Sequence, residues 1–282
     1  MNNLRKLTYP YVGWMAFFIV VPSLLIVLYA FTTQGNEVVS IQFTLENFKK
    51  FLDPLFISIL WKSIVIAFQT TLFCLIFGYP VAYAISRLKE KNQLLMILLI
   101  TMPTWINMLI RTYAWISLLA DNGLINSFLA MLGIGPIKLM YTDFAVVLGM
   151  VYNFLPFMIL SIYTQLAKLD NSLIDAAHDL GANHFNTFKK VIFPLSIPGV
   201  ISGITLVFLP AVSSFVIPKL LGGGSYVLIG NLIETQFILS GQWNFGSAVS
   251  LIMTLIILIS MGLTKRFEKN IGEEKSERRL SL

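Results

Sequence analysis

Charge is scarce in this chain: Asp, Glu, Lys and Arg make up only 12% of its 282 residues, against about 25% in a typical soluble domain. A water-solvated globule is therefore excluded. Cysteine is nearly absent. Cys74 is the single one, so no disulfide can form within the chain, and its apolar neighbourhood suits a small packing residue. The two histidines, His178 and His184, stand across a glycine with no thiolate nearby, so no metal site is expected. No Gly-x-x-x-x-Gly-Lys-Ser/Thr phosphate loop occurs. The run Gly222-Gly223-Gly224 is followed by Ser225-Tyr226 without a lysine and reads as a turn. No carboxylate pair, nucleophile triad or ligand cluster stands at catalytic spacing. The chain is expected to be no enzyme and to hold no cofactor of its own, so any energy for active transport would come from another chain.

Apolar sequence is what the chain has in abundance. Hydrophobic residues make up 56% of it, and the mean hydropathy is +0.78. Crossing a bilayer takes roughly 20 apolar residues. Six runs qualify: Pro10–Phe31, Ser58–Ser86, Leu94–Ala120, Thr142–Ala167, Pro194–Pro218 and Phe245–Thr264. The first follows Arg5 and Lys6 as a secretion signal would. It is too long for a signal core, and bulky Val27-Leu28-Tyr29-Ala30-Phe31 offers no small-x-small cleavage site, so it is expected to be retained. The fold class is all-α and polytopic. Residues 1–9 form an N-terminal segment, 10–264 a six-helix domain that includes a loop at 168–194, and 265–282 a charged tail whose last part, Gly272–Leu282, is expected to be disordered.

Lys and Arg placement orients the spans. Fourteen of the twenty lie before span one, between spans two and three, around the 168–194 loop, or after span six. Positive charge accumulates on the cytoplasmic side, so both termini and the loop are expected there. The net charge of +6 then reflects topology, and nothing calls for nucleic acid.

The loop is an amphipathic island. Leu173, Ala177 and Leu180 fall on one helical face, and Ser172 and Asp175 have capping-box spacing. Gly181 can take the positive φ of a helix end. Asn183 can cap a second helix with Phe185, Phe188 and Ile192 on its apolar face, and Pro194 is expected to stop it. A helix-turn-helix of this kind, projecting from a membrane domain, suits docking into a groove of another protein.

The spaced set Asp175-Ala176-Ala177, Gly181, Val191, Phe193 and Pro194 resembles the cytoplasmic coupling loop of ABC importer permeases. That family usually has Glu, Ile and Leu where this chain has Asp175, Val191 and Phe193, and the changes keep charge and apolarity. Further segments extend the resemblance along nearly the whole chain, toward permeases of spermidine/putrescine importers: Met102-Pro103-Thr104-Trp105, Leu109-Ile110-Arg111-Thr112-Tyr113, Leu155-Pro156-Phe157-Met158, Lys168-Leu169-Asp170, Asp179-Leu180-Gly181-Ala182 and Leu228-Ile229-Gly230-Asn231. The resemblance implies a type I importer permease. Its partners would be a second, related permease, two ATPase subunits and an extracytoplasmic polyamine-binding protein. Asp175, Ala176, Ala177, Gly181, Phe185 and Pro194 would then seat on the ATPase, and transport would follow alternating access.

A cargo path would be lined by polar and aromatic residues within the spans. Trp105, Asn107, Arg111 and Tyr113 surround a Pro103 interruption. Tyr152 and Asn153 lie in span four, and Ser213, Ser214 and Phe215 in a Pro-flanked stretch of span five. The bland alternative has Arg111 reaching to the outer interface and the aromatics forming an interfacial belt. Phe43–Leu52, with Phe43, Asn47, Phe48, Phe51 and Leu52 on one face, reads as an interfacial helix or a binding-protein dock, and Asn122–Leu132 reads as a similar outer helix. Carboxylates are missing from the centres of the spans. Asp121, Asp143 and Glu234 lie near the outer ends. An ion-coupled transporter usually places an acid within the membrane, so that class fits poorly.

Overall fold

The structure, a computed structural model, describes residues 2–33 and 42–280. No strand forms among the described residues, and a single antiparallel bridge joins Thr32 to Phe43. Helix α1 spans Asn2–Ala30, α2 Glu46–Phe51, α3 Pro54–Ser86, α4 Glu90–Thr101, α5 Met108–Leu119, α6 Leu124–Met131 and α7 Asp143–Leu166. Then come α8 Ser172–Asp179, α9 His184–Thr187, α10 Phe193–Ser213, α11 Val216–Leu221, α12 Ile229–Glu234 and α13 Trp243–Leu280. Among the described residues five helices are long and apolar enough to cross a membrane, and the bent pair Glu90–Trp105 and Met108–Met131 makes a sixth span if it is counted as one.

The centre of the fold is α7, packed against α3 and α10. Of its most apolar window 61% is buried, whereas none of the corresponding window in Tyr9–Ala30 is. In lipid, helices gain from close van der Waals packing more than from water exclusion, and small residues supply it here. Gly199 and Gly203 set the α10 backbone against Ser161 and Met158 of α7. Two buried clusters follow along the bundle. Cys74, Met158, Ile162, Ile192 and Val207 pack towards the 168–194 loop. Ile66, Met150, Ile217, Leu228 and Phe245 pack at the far end.

Several sequence expectations are corrected. Span three is not one rod over Leu94–Ala120: α4 passes through a 3₁₀ turn at Met102–Trp105, and the chain bends by 89° before α5. Pro103 accounts for this, since it removes a backbone donor and fixes φ. Ile106 and Asn107 take extended ψ values at the bend. Span five does not begin at Pro194 or reach Pro218. A continuous helical rod runs His184–Ser213, with a π-helical turn at Phe188–Ile192 that ends immediately before Phe193-Pro194. Pro194 therefore sits in the first turn of α10, where its missing donor is tolerated, and it does not stop the helix. Pro156 and Pro210 are likewise accommodated within α7 and α10. The tail is helical through Leu280 as a continuation of α13, where disorder was expected; residues 281–282 lie outside the described residues. Finally, Phe43–Leu52 does not present one apolar face. Phe51 is buried, whereas Phe43 is 80% exposed. Asn47 Nδ2 donates to Ala30 O and Thr32 O, tying α2 to the end of α1. The short helix expected within Asn122–Leu132 forms as α6.

Candidate functional site: a docking loop and a broken-helix path

The loop is built from local hydrogen bonds. Asp170 Oδ1 accepts from Ser172 N at 2.9 Å and starts α8, and this contact holds the Asp170 carboxyl below its ordinary pKa. The Ser172/Asp175 capping box does not form: the cap position is Asn171, with no side-chain cap bond. The bend between Asp170 and α8 brings Asp170 into reach of the first free amides and leaves Asp175 on the exposed face. Gly181 has φ +80°. Its N–H donates to His178 O, and Ala182 N–H donates to Ala177 O, both at 2.9 Å. Together these bonds make a Schellman ending that requires a left-handed residue. Asn183 Oδ1 accepts from Asn186 N at 2.9 Å and caps α9, as its position in the sequence suggests.

The apolar residues of the loop divide between two tasks. Ile192 is buried, and Phe188 stacks edge-on against Tyr79 and Tyr83 of α3, with ring centroids at 5.9 and 5.5 Å. These contacts fix the rod to the bundle. Phe185, expected on the same face, points outward with 70% exposure, and Leu180 is 89% exposed. Ala176 is exposed and Ala177 half-buried. The tip is therefore an uncovered apolar surface on a rigid stem. Replacing Asn183 with Ala removes the cap of α9, worth about 1 kcal/mol. Hydrogen exchange at the Asn186 amide should then quicken by roughly fivefold, with the far-end helices unchanged.

Within the bundle the candidate path residues separate. Asn107 Oδ1 accepts from Leu109 N at 2.8 Å, so this side chain caps α5. Trp105 and Tyr113 are exposed at the bend. Arg111 turns towards α7, where its guanidinium lies 6.0 Å from the centroid of Tyr152, whose ring meets Trp115 edge-on at 5.4 Å. Asn153 faces the interior instead: it is only 4% exposed, and its Nδ2 donates to Gly149 O at 2.8 Å. Ser213 ends α10, Ser214 is extended, and Phe215 begins the turn into α11. Arg111, Tyr152 and Trp115 thus come together, Asn153 leaves the set, and Ser213–Phe215 forms a second break.

Sequence reasoning missed the clamps that hold this far end. Asn231 Nδ2 donates to Phe215 O at 2.7 Å, and Ile229 N–H donates to Ser63 Oγ at 2.8 Å. Lys62 Nζ lies 3.4 Å from Asp143 Oδ1 and 3.8 Å from the Tyr226 ring centroid, while Tyr226 donates its hydroxyl to Asp143 at 2.5 Å. Burial, and then the carboxylate it bonds, raise the pKa of the Tyr226 phenol. Lys219 pairs with Glu234 at 2.7 Å. Two of the three carboxylates near the outer span ends are therefore engaged within the chain. The available signal was an acid in the first turn of α7 beside a lysine in α3, but a pairing over such sequence distance is invisible without the fold. At the loop end, a cavity of 350 Å³ is lined by Ser161, Thr164, Gln165, Lys168, Pro198, Gly199 and Ser202. The two histidine rings of the loop lie 5.0 Å apart, and among the described residues no cluster could hold a metal ion.

Comparison with known proteins places the chain. Residues 1–273 match the family described as binding-protein-dependent transport system inner membrane component. The spermidine/putrescine transport system permease protein PotB of Haemophilus influenzae is 39% identical over 277 residues, 97% of each chain. Its Escherichia coli namesake is 41% identical over 249 residues, 87% of this chain and 90% of that one. Among solved structures, a chain of a bacterial ABC transporter involved in the import of the acidic polysaccharide alginate superposes with a TM-score of 0.81 at 14% identity, covering 95% of both chains. At that identity the match speaks for the fold alone.

Proposed function

The chain belongs to the binding-protein-dependent transport system inner membrane components, and on that premise we propose that it is one permease of an ATP-driven importer carrying spermidine and putrescine into the cytoplasm. The observation that carries the coupling part is the rod His184–Ser213, which joins the apolar loop tip to the bundle interior without a hinge. A push on the tip is delivered to α10 as a rigid displacement. The cargo assignment draws on relatives named for spermidine and putrescine at 39% and 41% identity along nearly the whole chain.

In this reading the loop and both termini are cytoplasmic, as the Lys and Arg distribution requires. Two ATPase subunits bind ATP and Mg, and none is held here. One ATPase seats on Asp175, Ala176, Ala177, Gly181 and Phe185, with Pro194 starting the transmitting helix. A second, related permease completes the membrane domain, and an extracytoplasmic polyamine-binding protein delivers the cargo. ATP binding draws the ATPases together, the loops follow, and the spans rock from an inward-facing to an outward-facing arrangement.

A polyamine is a chain of ammonium groups that must exchange water for other ligands. Asp143 and Glu234 are already paired with lysines, so aromatic faces and helix-end carbonyls are left to do this work in the chain. Trp105, Tyr113, Tyr152 and Phe215, with the carbonyls at the Ser213–Ser214 break, are the groups we assign to the path. The test is uptake of labelled spermidine and putrescine by vesicles holding both permeases, the ATPases and the binding protein. Uptake that needs ATP and competes with unlabelled polyamine is expected. An assembled, ATP-hydrolysing complex that moves no polyamine would remove the cargo and keep the importer.

A further inference from the structure

Arg111 is a charge within the predicted spans that has no counter-ion among the described residues. Its Nε and Nη1 are buried and have no hydrogen-bond partner. Its guanidinium lies level with Tyr152, nine residues into α7, which at 1.5 Å per residue is roughly 13 Å below the start of that helix. At that depth reaching to the interface does not relieve the charge. The nearest cushion, the Tyr152 ring, stands at the 6.0 Å limit of a cation–π contact.

The local backbone makes the site more positive still. Arg111 is the fourth residue of α5, and its N–H donates to Asn107 O in the first turn after the 89° bend. A helix N-terminus carries partial positive charge and favours anions. Among the described residues no acid pairs with it. Asp143 is held by Lys62 and Tyr226, Glu234 by Lys219, and Asp121 lies exposed beyond the end of α5. A guanidinium with two buried, unbonded nitrogens calls for a carboxylate, whose two oxygens match its fork. Beside it Ile110 is exposed at 63%, a bare apolar side chain suited to another helix.

We propose that Arg111 pairs, inside the membrane, with a carboxylate of the second permease, and that this pair fixes the two permeases against each other at the bend of span three. The proposal rests on the importer reading, which supplies the second permease. It also removes a difficulty of that reading, since an uncompensated cation beside the path would repel a polyamine, whereas a paired one leaves the aromatic faces accessible.

The experiment uses the complete importer with a tag on this chain and reads two quantities, recovery of the second permease and ATP-dependent polyamine uptake. R111D should lower both by at least tenfold, and R111K, which keeps the charge without the fork, should fall between R111D and wild type in both. R111D is then combined with Arg in place of each membrane-embedded Asp or Glu of the second permease, in turn. One combination should restore recovery to within about threefold of wild type, while the same acid-to-Arg change alone should be as defective as R111D. R111M guards against simple misfolding: removing an unpaired buried charge should leave the yield of the isolated chain equal or higher while recovery of the second permease falls. Unchanged recovery in R111D, or rescue by none of the acids, overturns the proposal. Activity that instead follows the anionic-lipid content of the vesicles, with no rescue, also overturns it and makes a lipid phosphate the counter-ion. A wild-type complex that assembles but moves no polyamine would sink the cargo assignment and leave the recovery measurement to decide the pairing.

Discussion

Gly181→Val is expected to abolish coupling while leaving the bundle folded. The left-handed region costs an L-residue roughly 1–2 kcal/mol, and a β-branched residue more. Gly181 sits there at φ +80°. A Cβ at this position would meet nothing within 4 Å, so crowding plays no part and the entire effect comes from the backbone. The turn would leave the Schellman geometry, the bonds to His178 O and Ala177 O would break, and Leu180 and Phe185 would no longer share a tip. With a tenfold change in population for each 1.4 kcal/mol, the docking-competent loop should fall at least about tenfold. ATP-dependent uptake and ATPase recovery should fall with it. Asn tolerates the left-handed conformation, so Gly181→Asn should retain most activity. Equal uptake by Gly181→Val would show that the loop end does not transmit the stroke.

Substitution at Gly230 should have the largest effect on folding. A Cβ here would lie 2.5 Å from Ser213 O and 2.8 Å from Ser214 O. These are backbone atoms at the break of span five, where rotamer adjustment offers no relief. Overpacking of this kind costs about 1–3 kcal/mol for one methyl, and valine adds more. The neighbouring bonds, Asn231 Nδ2 to Phe215 O and Ile229 N–H to Ser63 Oγ, should loosen together because they fix the same turn. Gly230→Ala should lower the thermal midpoint of the detergent-solubilised protein clearly, and Gly230→Val should leave little monodisperse protein. Asn231→Ala, which leaves Phe215 O without its donor, should fall between the two. A Gly230→Val chain that melts like wild type would mean that α12 does not clamp the break.

The 168–194 loop was legible because its determinants are local. The positive φ of Gly181 and the cap of Asn183 follow from residue chemistry within a few positions, and the structure has both. Where a competing acceptor lay close by, locality misled: Asp170, two residues upstream, takes the amide of Ser172, and the Ser172/Asp175 box stays unmade. Proline gave a mixed signal. A bend was foreseeable at Pro103, and the structure breaks there. Pro194, Pro156 and Pro210 sit inside continuous helix because packed neighbours and π turns re-house the freed carbonyls, which no single-sequence rule weighs.

Composition and periodicity determined that this is an all-helical protein of the membrane, and the glycine turn and its neighbouring cap determined the local shape of the 168–194 loop. These properties depend on transfer free energies and dihedral preferences that each residue carries with it. The tertiary structure decided which polar groups are free. Asp143 and Glu234 stood near the outer ends of the spans with no partner legible in the sequence, and the fold sets Lys62, Tyr226 and Lys219 beside them. Asn153 turned inward, and Arg111 was left half-buried with two buried nitrogens unbonded. The electrostatic state of a group depends on what lies within a few ångströms of it, and in a bundle of helices those neighbours come from residues far away in the sequence.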